Sequence, residues 1–312
     1  MYGIPNSERF ARVEPLNKGW SNDTKYRVET VDGEKLLLRV ADRAEYGRKK
    51  AEYGMLERAA RLGVPMTRPV AFGLCGDGQH AYLLLTWCEG ADAEEALPRL
   101  PPSEHYALGI KAGALLKTLH TLPAPEDAEP WGLRFRRKAE GRIRFYREHL
   151  DPYEDLDHVV RFLENHKALP DGRPQRFNHG DFNLSNLIVT PDGQIGVIDF
   201  NAYNAGYGDP WWEFCSNVWG KPIHGHFRSG MIDGYFQGRP PEDFFRLLEY
   251  YYAYDALAAA CETDEMDEAD RADGRRQAGV VLAWFKGFGE VVPTWYSAVD
   301  GGAGADGGIV AR

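Results

Sequence analysis

One stretch constrains this chain more than any other: Asn178 to Phe200, NHGDFNLSNLIVTPDGQIGVIDF. It carries Asp181, then Asn186 five residues on, then Asp199 thirteen after that. NLIV and IGVIDF are short, β-rich apolar runs. TPDG between them has the Pro and Gly of a tight turn, so the segment predicts a hairpin. A hairpin brings its two ends together. The polar residues before the first strand and after the second then meet at one edge. Asn186 and Asp199 would supply two oxygen ligands there, beside the carboxylate of Asp181. Mg²⁺ is a hard ion that takes one or two protein oxygens together with waters and phosphates. Phosphoryl transfer needs such a metal and a base near the acceptor hydroxyl.

HGDFNLSN followed by IDF resembles the catalytic and metal-binding loops of aminoglycoside phosphotransferases, choline kinases and their relatives, the small-molecule branch of the protein-kinase fold. The protein-kinase form of this pattern is a worked template, and the roles come from it. The resemblance implies Asp181 as the catalytic base, Asn186 and Asp199 as holders of Mg²⁺, and ATP or GTP as phosphoryl donor. HGD alone is a weak signal. Joined to the later Asn, the turn-linked β-pair and the apolar-Asp-Phe, it is a strong one. The bland alternative is an Asx-rich loop with a surface hairpin.

The chain has 312 residues, enough for two lobes with a core. Its net charge of −10 argues against nucleic acid or an anionic membrane as main partner and suits a cationic small substrate. Cys75, Cys88, Cys215 and Cys261 are scattered, with no C-x-x-C. That predicts neither a disulfide framework nor a cysteine metal site, and fits a reducing cytoplasm. MYGIPNSERF has no apolar signal core. No apolar run approaches the roughly 20 residues of a membrane helix.

Val13 to Asn17 and Lys25 to Thr30 read as strands around KGWSND. In a kinase-like lobe this turn covers the nucleotide phosphates: Gly19 permits close approach, and Ser21 and Asn22 can donate to phosphate oxygens. EKLLLRV is the next strand, with Lys35, Leu37 and Arg39 on one face. The family usually has Lys where Arg39 stands, holding the α- and β-phosphates; Arg keeps the charge with a different reach. Asp42 to Leu62 predicts a helix with an Ala44, Ala51, Met55, Leu62 seam, ended by Gly63 and Pro65. The resemblance wants a Glu on it to pair Arg39. Glu52 fits best, with Glu45 and Glu57 as rivals. LLLTWCEG closes the sheet and resembles the hinge that holds the adenine by backbone groups, at Trp87, Cys88 and Glu89.

Ser103 is expected to cap a helix to about Leu122, with Ile110, Ala114, Leu115 and Leu119 inward and a structural His120 at its end. The basic run Arg134 to Arg147 reads as a solvated helix face. After Asp199 the chain reaches Asp209 within ten residues, too few for a protein-kinase activation segment. Gly180 stands where protein kinases have Arg. Both facts point to a small-molecule kinase. GDPWWEF resembles the family's GDP segment, with Glu213 where Asp is commoner and Asp209 as a brace for the catalytic loop. The last quarter is helical, aromatic and acidic. Asp255, inside the aromatic run, is the candidate substrate contact.

The expected fold is α+β, bilobal and protein-kinase-like. It has a small β-rich N-lobe over 1–88, a larger mostly helical C-lobe over 89–300, and a disordered Gly-rich tail over 301–312. The resemblance covers Leu16 to Phe214. It implies a Mg²⁺-dependent kinase of a hydroxyl on a small molecule, with neither nucleic acid nor membrane as partner. The acceptor stays open between an aminoglycoside-type antibiotic and a metabolic amino alcohol, sugar or amino acid. A third reading, resting on Arg39, is a nucleotide-binding module without catalysis.

Overall fold

The computed structural model describes residues 3–17, 22–200, 206–215, 224–261 and 268–297. The tail over 301–312 lies outside them. Alternation of side chains builds the N-terminal part. Strands β1 (Phe10–Leu16), β2 (Thr24–Thr30) and β3 (Lys35–Asp42) precede helix α1 (Tyr46–Ala60), and β4 (Pro69–Cys75) and β5 (His80–Thr86) follow it. The five strands form one antiparallel sheet in the order β1-β2-β3-β5-β4. Leu36 and Leu38 face one side with Val28, Tyr82 and Leu84, where Ile4 covers them. Leu83 and Leu85 face the other side and join Met55, Leu56 and Ala59 of α1 in the main core.

Helix α1 is shorter than its apolar pattern predicts. A 3₁₀ turn over Arg43–Glu45 precedes it, capped by Asp42, which accepts from the Ala44 N–H at 2.8 Å. The seam is also displaced. Ala44 and Ala51 are exposed, and the buried face is Lys49, Glu52, Met55, Leu56 and Ala59. Apolar periodicity skips a face that includes a lysine and a glutamate.

The rest is mostly helical. It begins with β6 (Ala91–Asp92), α2 (Ala93–Ala96) and α3 (Pro102–Leu119), then α4 (Trp131–His149) and α5 (Glu154–Asn165). The short strands β7 (Arg176–Phe177), β8 (Leu187–Val189), β9 (Ile195–Val197) and β10 (Tyr207–Gly208) come next, and α6 (Gly225–Phe236), α7 (Glu242–Ala260) and α8 (Glu268–Trp284) close the chain. Ser103 does not cap α3. Pro102 is its first residue, where a missing N–H costs nothing, and Ser103 lies in the first turn. Helices α3 and α6 meet backbone to backbone. A Cβ on Gly113 would lie 2.0 Å from the Met231 carbonyl oxygen, and one on Gly230 2.2 Å from that of Tyr106. The inward residues of α3 therefore include Gly109 and Gly113, while Ile110 and Ala114 are only half-buried.

The basic run lies on α4 and is largely tied down. Arg136 pairs with Asp171, Arg137 with Glu129 and Arg147 with Glu164. Arg134 stacks on Trp131 and Tyr207. No described helix is long and apolar enough to cross a membrane.

The hairpin expected around the TPDG turn is present. Leu187 faces Val197 across β8 and β9, and Gly193, at φ +70°, donates to the Thr190 carbonyl at 2.8 Å. The second strand has another neighbour. Val197 donates to Pro65 O at 3.0 Å and accepts from Thr67 N at 3.2 Å. The hairpin is thereby sewn to the segment between α1 and β4.

Candidate active site

The segment before the hairpin is held from beneath. His179 is fully buried. Its Nε2 lies 2.8 Å from the Ile198 carbonyl, and its Nδ1 accepts from the Asp181 N–H at 3.2 Å. Gly180 takes φ +87°, a turn that a side chain would strain. Glu213 accepts the N–H of His179 through one carboxylate oxygen and that of Gly180 through the other, both at 2.7 Å. His120 stands 3.3 Å from Glu213 and 2.9 Å from the Tyr235 hydroxyl. Burial works to raise the Glu213 carboxyl, but His120, His179 and the Gly180 N–H outweigh it and hold it below its ordinary value.

This corrects the expected brace. The side chain of Asp209 does not hold the loop. It pairs with Arg173 at 2.8 and 3.0 Å and accepts from the Tyr251 hydroxyl at 2.7 Å; only its carbonyl reaches the loop, through Asn178 Nδ2 at 3.2 Å. Glu213 is the residue that grips the loop backbone. His120 is structural, as expected.

Asp181 is presented by two amides. Asn183 Nδ2 donates to one carboxylate oxygen at 2.6 Å, and Asn186 Nδ2 donates to the other at 2.8 Å and to the Asp181 carbonyl at 3.0 Å. Burial, with the nearby Asp199 charge, pushes the Asp181 carboxyl up despite the opposing pull of His179 and both Asn bonds. Since Asn186 spends its Nδ2 on Asp181, its Oδ1 is turned away from that residue. The Ile198 N–H donates to the Asn186 carbonyl at 3.0 Å, which sets Asn186 beside the chain that enters Asp199. Asp199 takes φ +58°, an uncommon backbone for a residue with a side chain and a frequent one at working sites. Its side chain is 43% exposed.

An amide oxygen and a carboxylate are hard donors that suit Mg²⁺. Among the described residues no group of three or more His, Cys, Asp or Glu is arranged for a metal. Asn186 and Asp199 would therefore hold a cation only with phosphate and water oxygens completing the shell.

Arg39 reaches this edge from the sheet. Its Nη1 lies 2.7 Å from Glu52 and 2.9 Å from Asp199. Glu52 is thus the helix residue that meets the strand cation; Glu45 pairs with Arg48 instead. Two participants are absent from the sequence reading. Asp23 faces Arg39 at 2.7 Å and pairs with Lys49, which lies 3.0 Å from Glu52. The available signal was spacing: Lys49 sits three residues before Glu52 and so shares its face of α1.

Gly19 and Ser21 lie outside the described residues. Asn22 is described and exposed. Of the three hinge residues, Trp87 does not offer its amide, because its N–H donates to Lys35 O at 3.0 Å. Glu89 pairs with Lys35 at 2.6 Å. Cys88 lays its Sγ over β9, 2.8 Å from where a Cβ on Gly196 would stand. Asp255 is half-buried on α7, near enough to Cys215 that burial and the Asp255 charge together push that thiol well up.

A sequence profile of the phosphotransferase enzyme family matches residues 12–245. No curated protein matches the chain in sequence. Among solved structures, a GDP complex of aminoglycoside 2'-phosphotransferase IIIa is similar, at 14% identity and a TM-score of 0.64, covering 88% of this chain and 93% of its own. A choline/ethanolamine kinase family protein from Mesorhizobium loti aligns at 16% identity and a TM-score of 0.61, covering 93% and 94%. A putative fructosamine-3-kinase from Haemophilus somnus aligns at 15% and 0.58, covering 88% and 92%. At such identities the likeness speaks for the fold, while the profile speaks for the family. The chain therefore belongs to the phosphotransferase enzyme family, as a small-molecule phosphotransferase with the protein-kinase-like fold.

Proposed function

We propose that this chain moves the γ-phosphoryl group of ATP or GTP to a hydroxyl of a small molecule. The observation that carries the reading is Asp181. Its two carboxylate oxygens are held by Asn183 and Asn186 at 2.6 and 2.8 Å, and Asn186 in turn is joined through Ile198 to the chain entering Asp199. In this reading residues 1–88 hold the nucleotide and 89–300 carry the catalytic loop and the acceptor.

Asp181 accepts a hydrogen bond from the acceptor hydroxyl and takes its proton as the new P–O bond forms. Asn186 and Asp199 would hold Mg²⁺, whose charge would offset that of the phosphates. Arg39, steadied by Glu52, faces the α- and β-phosphates. Asn22 would face them as well. Asp255 would meet a cationic group on the acceptor. No covalent intermediate on the protein is needed, because positioning and charge do the chemistry. Similar structures named as aminoglycoside, choline/ethanolamine and fructosamine kinases support both an antibiotic and a metabolic acceptor.

The test is Mg²⁺-nucleotide turnover against aminoglycosides, amino alcohols and sugars, with wild type beside Asp181→Asn. Acceptor-dependent turnover should fall about 10²–10⁴-fold in the variant with nucleotide binding retained. A wild-type protein that binds no Mg²⁺-nucleotide would overturn the reading.

A further inference from the structure

Arg39 has more carboxylates around it than a phosphate-binding cation needs. Its Nε and Nη2 both point at Oδ2 of Asp23, at 2.8 and 2.7 Å, while Nη1 serves Glu52 and Asp199. A guanidinium has five N–H groups, and four contacts already lie on carboxylates. The same Oδ2 of Asp23 accepts from Lys49 Nζ. The four side chains of Arg39, Asp23, Lys49 and Glu52 are nearly sealed, at 6, 2, 1 and 3% exposure.

Glu52 alone would complete the strand-cation and helix-glutamate pair. Asp23 and Lys49 are an added pair on the opposite edge of the guanidinium, the Nε–Nη2 edge that can fork onto two phosphate oxygens. A buried carboxylate left without a cation is strongly unfavourable. Asp23 on its own would therefore hold that edge against any phosphate. Lys49 changes the balance, because Asp23 keeps a buried cation even when Arg39 turns away. The Asp23 carboxyl is held below its ordinary value: burial opposes this, and Arg39 and Lys49 prevail.

Resting on the phosphotransferase reading above, we propose that Asp23 competes with nucleotide phosphates for the Nε–Nη2 edge of Arg39, and that Lys49 decides the competition by keeping Asp23 paired when the edge turns to phosphate. Both are positioning residues that set nucleotide affinity through Arg39. The pairing makes an unusual sign pattern. Loss of Lys49 harms nucleotide binding only while Asp23 is present.

The experiment titrates Mg²⁺-ADP and Mg²⁺-GDP into the full-length wild type, Lys49→Met, Asp23→Asn and the double variant, with a thermal melt of each. Lys49→Met should weaken binding about tenfold or more, whereas Asp23→Asn should bind as tightly as wild type or tighter, and the double variant should return to within about threefold of Asp23→Asn. A merely structural anchor would weaken all three alike, and that result overturns the proposal. If Lys49→Met does not melt cooperatively, Asp23→Asn decides alone: weaker binding than wild type overturns the proposal, and equal or tighter binding supports it. Wild type that binds neither nucleotide removes the phosphotransferase reading and this proposal with it. Wild type that binds, beside a double variant as weak as Lys49→Met, removes this proposal only.

Discussion

Arg39 and Asp199 meet at 2.9 Å, although 160 residues of chain separate them. The contact joins the middle strand of the sheet to a residue just beyond the β8–β9 hairpin. It depends on a planar fork, since the same guanidinium also serves Glu52 and Asp23. An ammonium has three donors on one atom and no such span. Arg39→Lys should keep the charge yet weaken Mg²⁺-nucleotide binding about tenfold, and Arg39→Met should also lower stability by about 3–5 kcal/mol through the stranded carboxylates. Calorimetric titration and melting of both variants check this; an Arg39→Lys protein equal to wild type would remove the fork from the argument.

Glu213 should make the segment around His179 and Gly180 acid-sensitive. Its folded-state carboxyl lies below the ordinary 4.5, so its stabilising contribution is complete above pH 4.5 and is lost as pH falls from there through the folded value. Glu213→Gln keeps one acceptor oxygen but sets an amide N–H₂ against a backbone N–H. It should destabilise by about 3 kcal/mol at pH 7, with the gap to wild type closing as pH drops below 4.5. Melting temperatures across pH 3.5 to 7, roughly the window this linkage defines, provide the check.

Glu249 has the opposite sign. It is 4% exposed on α7, its Oε1 has no hydrogen-bond partner among the described residues, and burial pushes its carboxyl up to about 7. Stability is then fullest below the unfolded value of 4.5 and falls as pH rises toward 7. Glu249→Gln should stabilise the protein by roughly 2 kcal/mol at about pH 8 and by little near pH 5. Equal shifts at the two pH values would count against a buried carboxylate.

The helix pair α3 and α6 offers a steric prediction. Gly113→Ala would force a methyl to 2.0 Å from the Met231 carbonyl oxygen, so the helices must separate, at a cost of about 3 kcal/mol or more. Gly141 on α4 meets nothing within 4 Å, and Gly141→Ala should stabilise by about 0.5–1 kcal/mol. Chemical denaturation of both variants separates the effect of the contact from that of the residue type.

The hairpin was legible because its signals are local. Pro191 and Gly193 set the turn, and apolar runs set the strands. The Arg39 and Glu52 pairing was legible because two regular elements fixed both positions. Asp23 and Lys49 were not, because their meaning depends on how the entry to β2 lies against α1, and a buried lysine carries no apolar signature. The assignment of the loop brace to Asp209 failed for a similar reason. Asp209 and Glu213 are four residues apart in one short segment, and only packing reveals which carboxylate faces the backbone of His179 and Gly180.

The seam between Val197 and the Pro65 to Thr67 segment has a mechanical consequence. Among the described residues the backbone of the sheet is joined to that of the helical part by the chain leaving β5 and by this strip of bonds. These two backbone attachments define an axle. Any rocking of the sheet either breaks the strip or turns about the line between residues 66 and 88. Points near that line barely travel. Asp199 follows Val197 by two residues and would stay close to still in such a turn, while the outer strands β1 and β2 would sweep the longest arc.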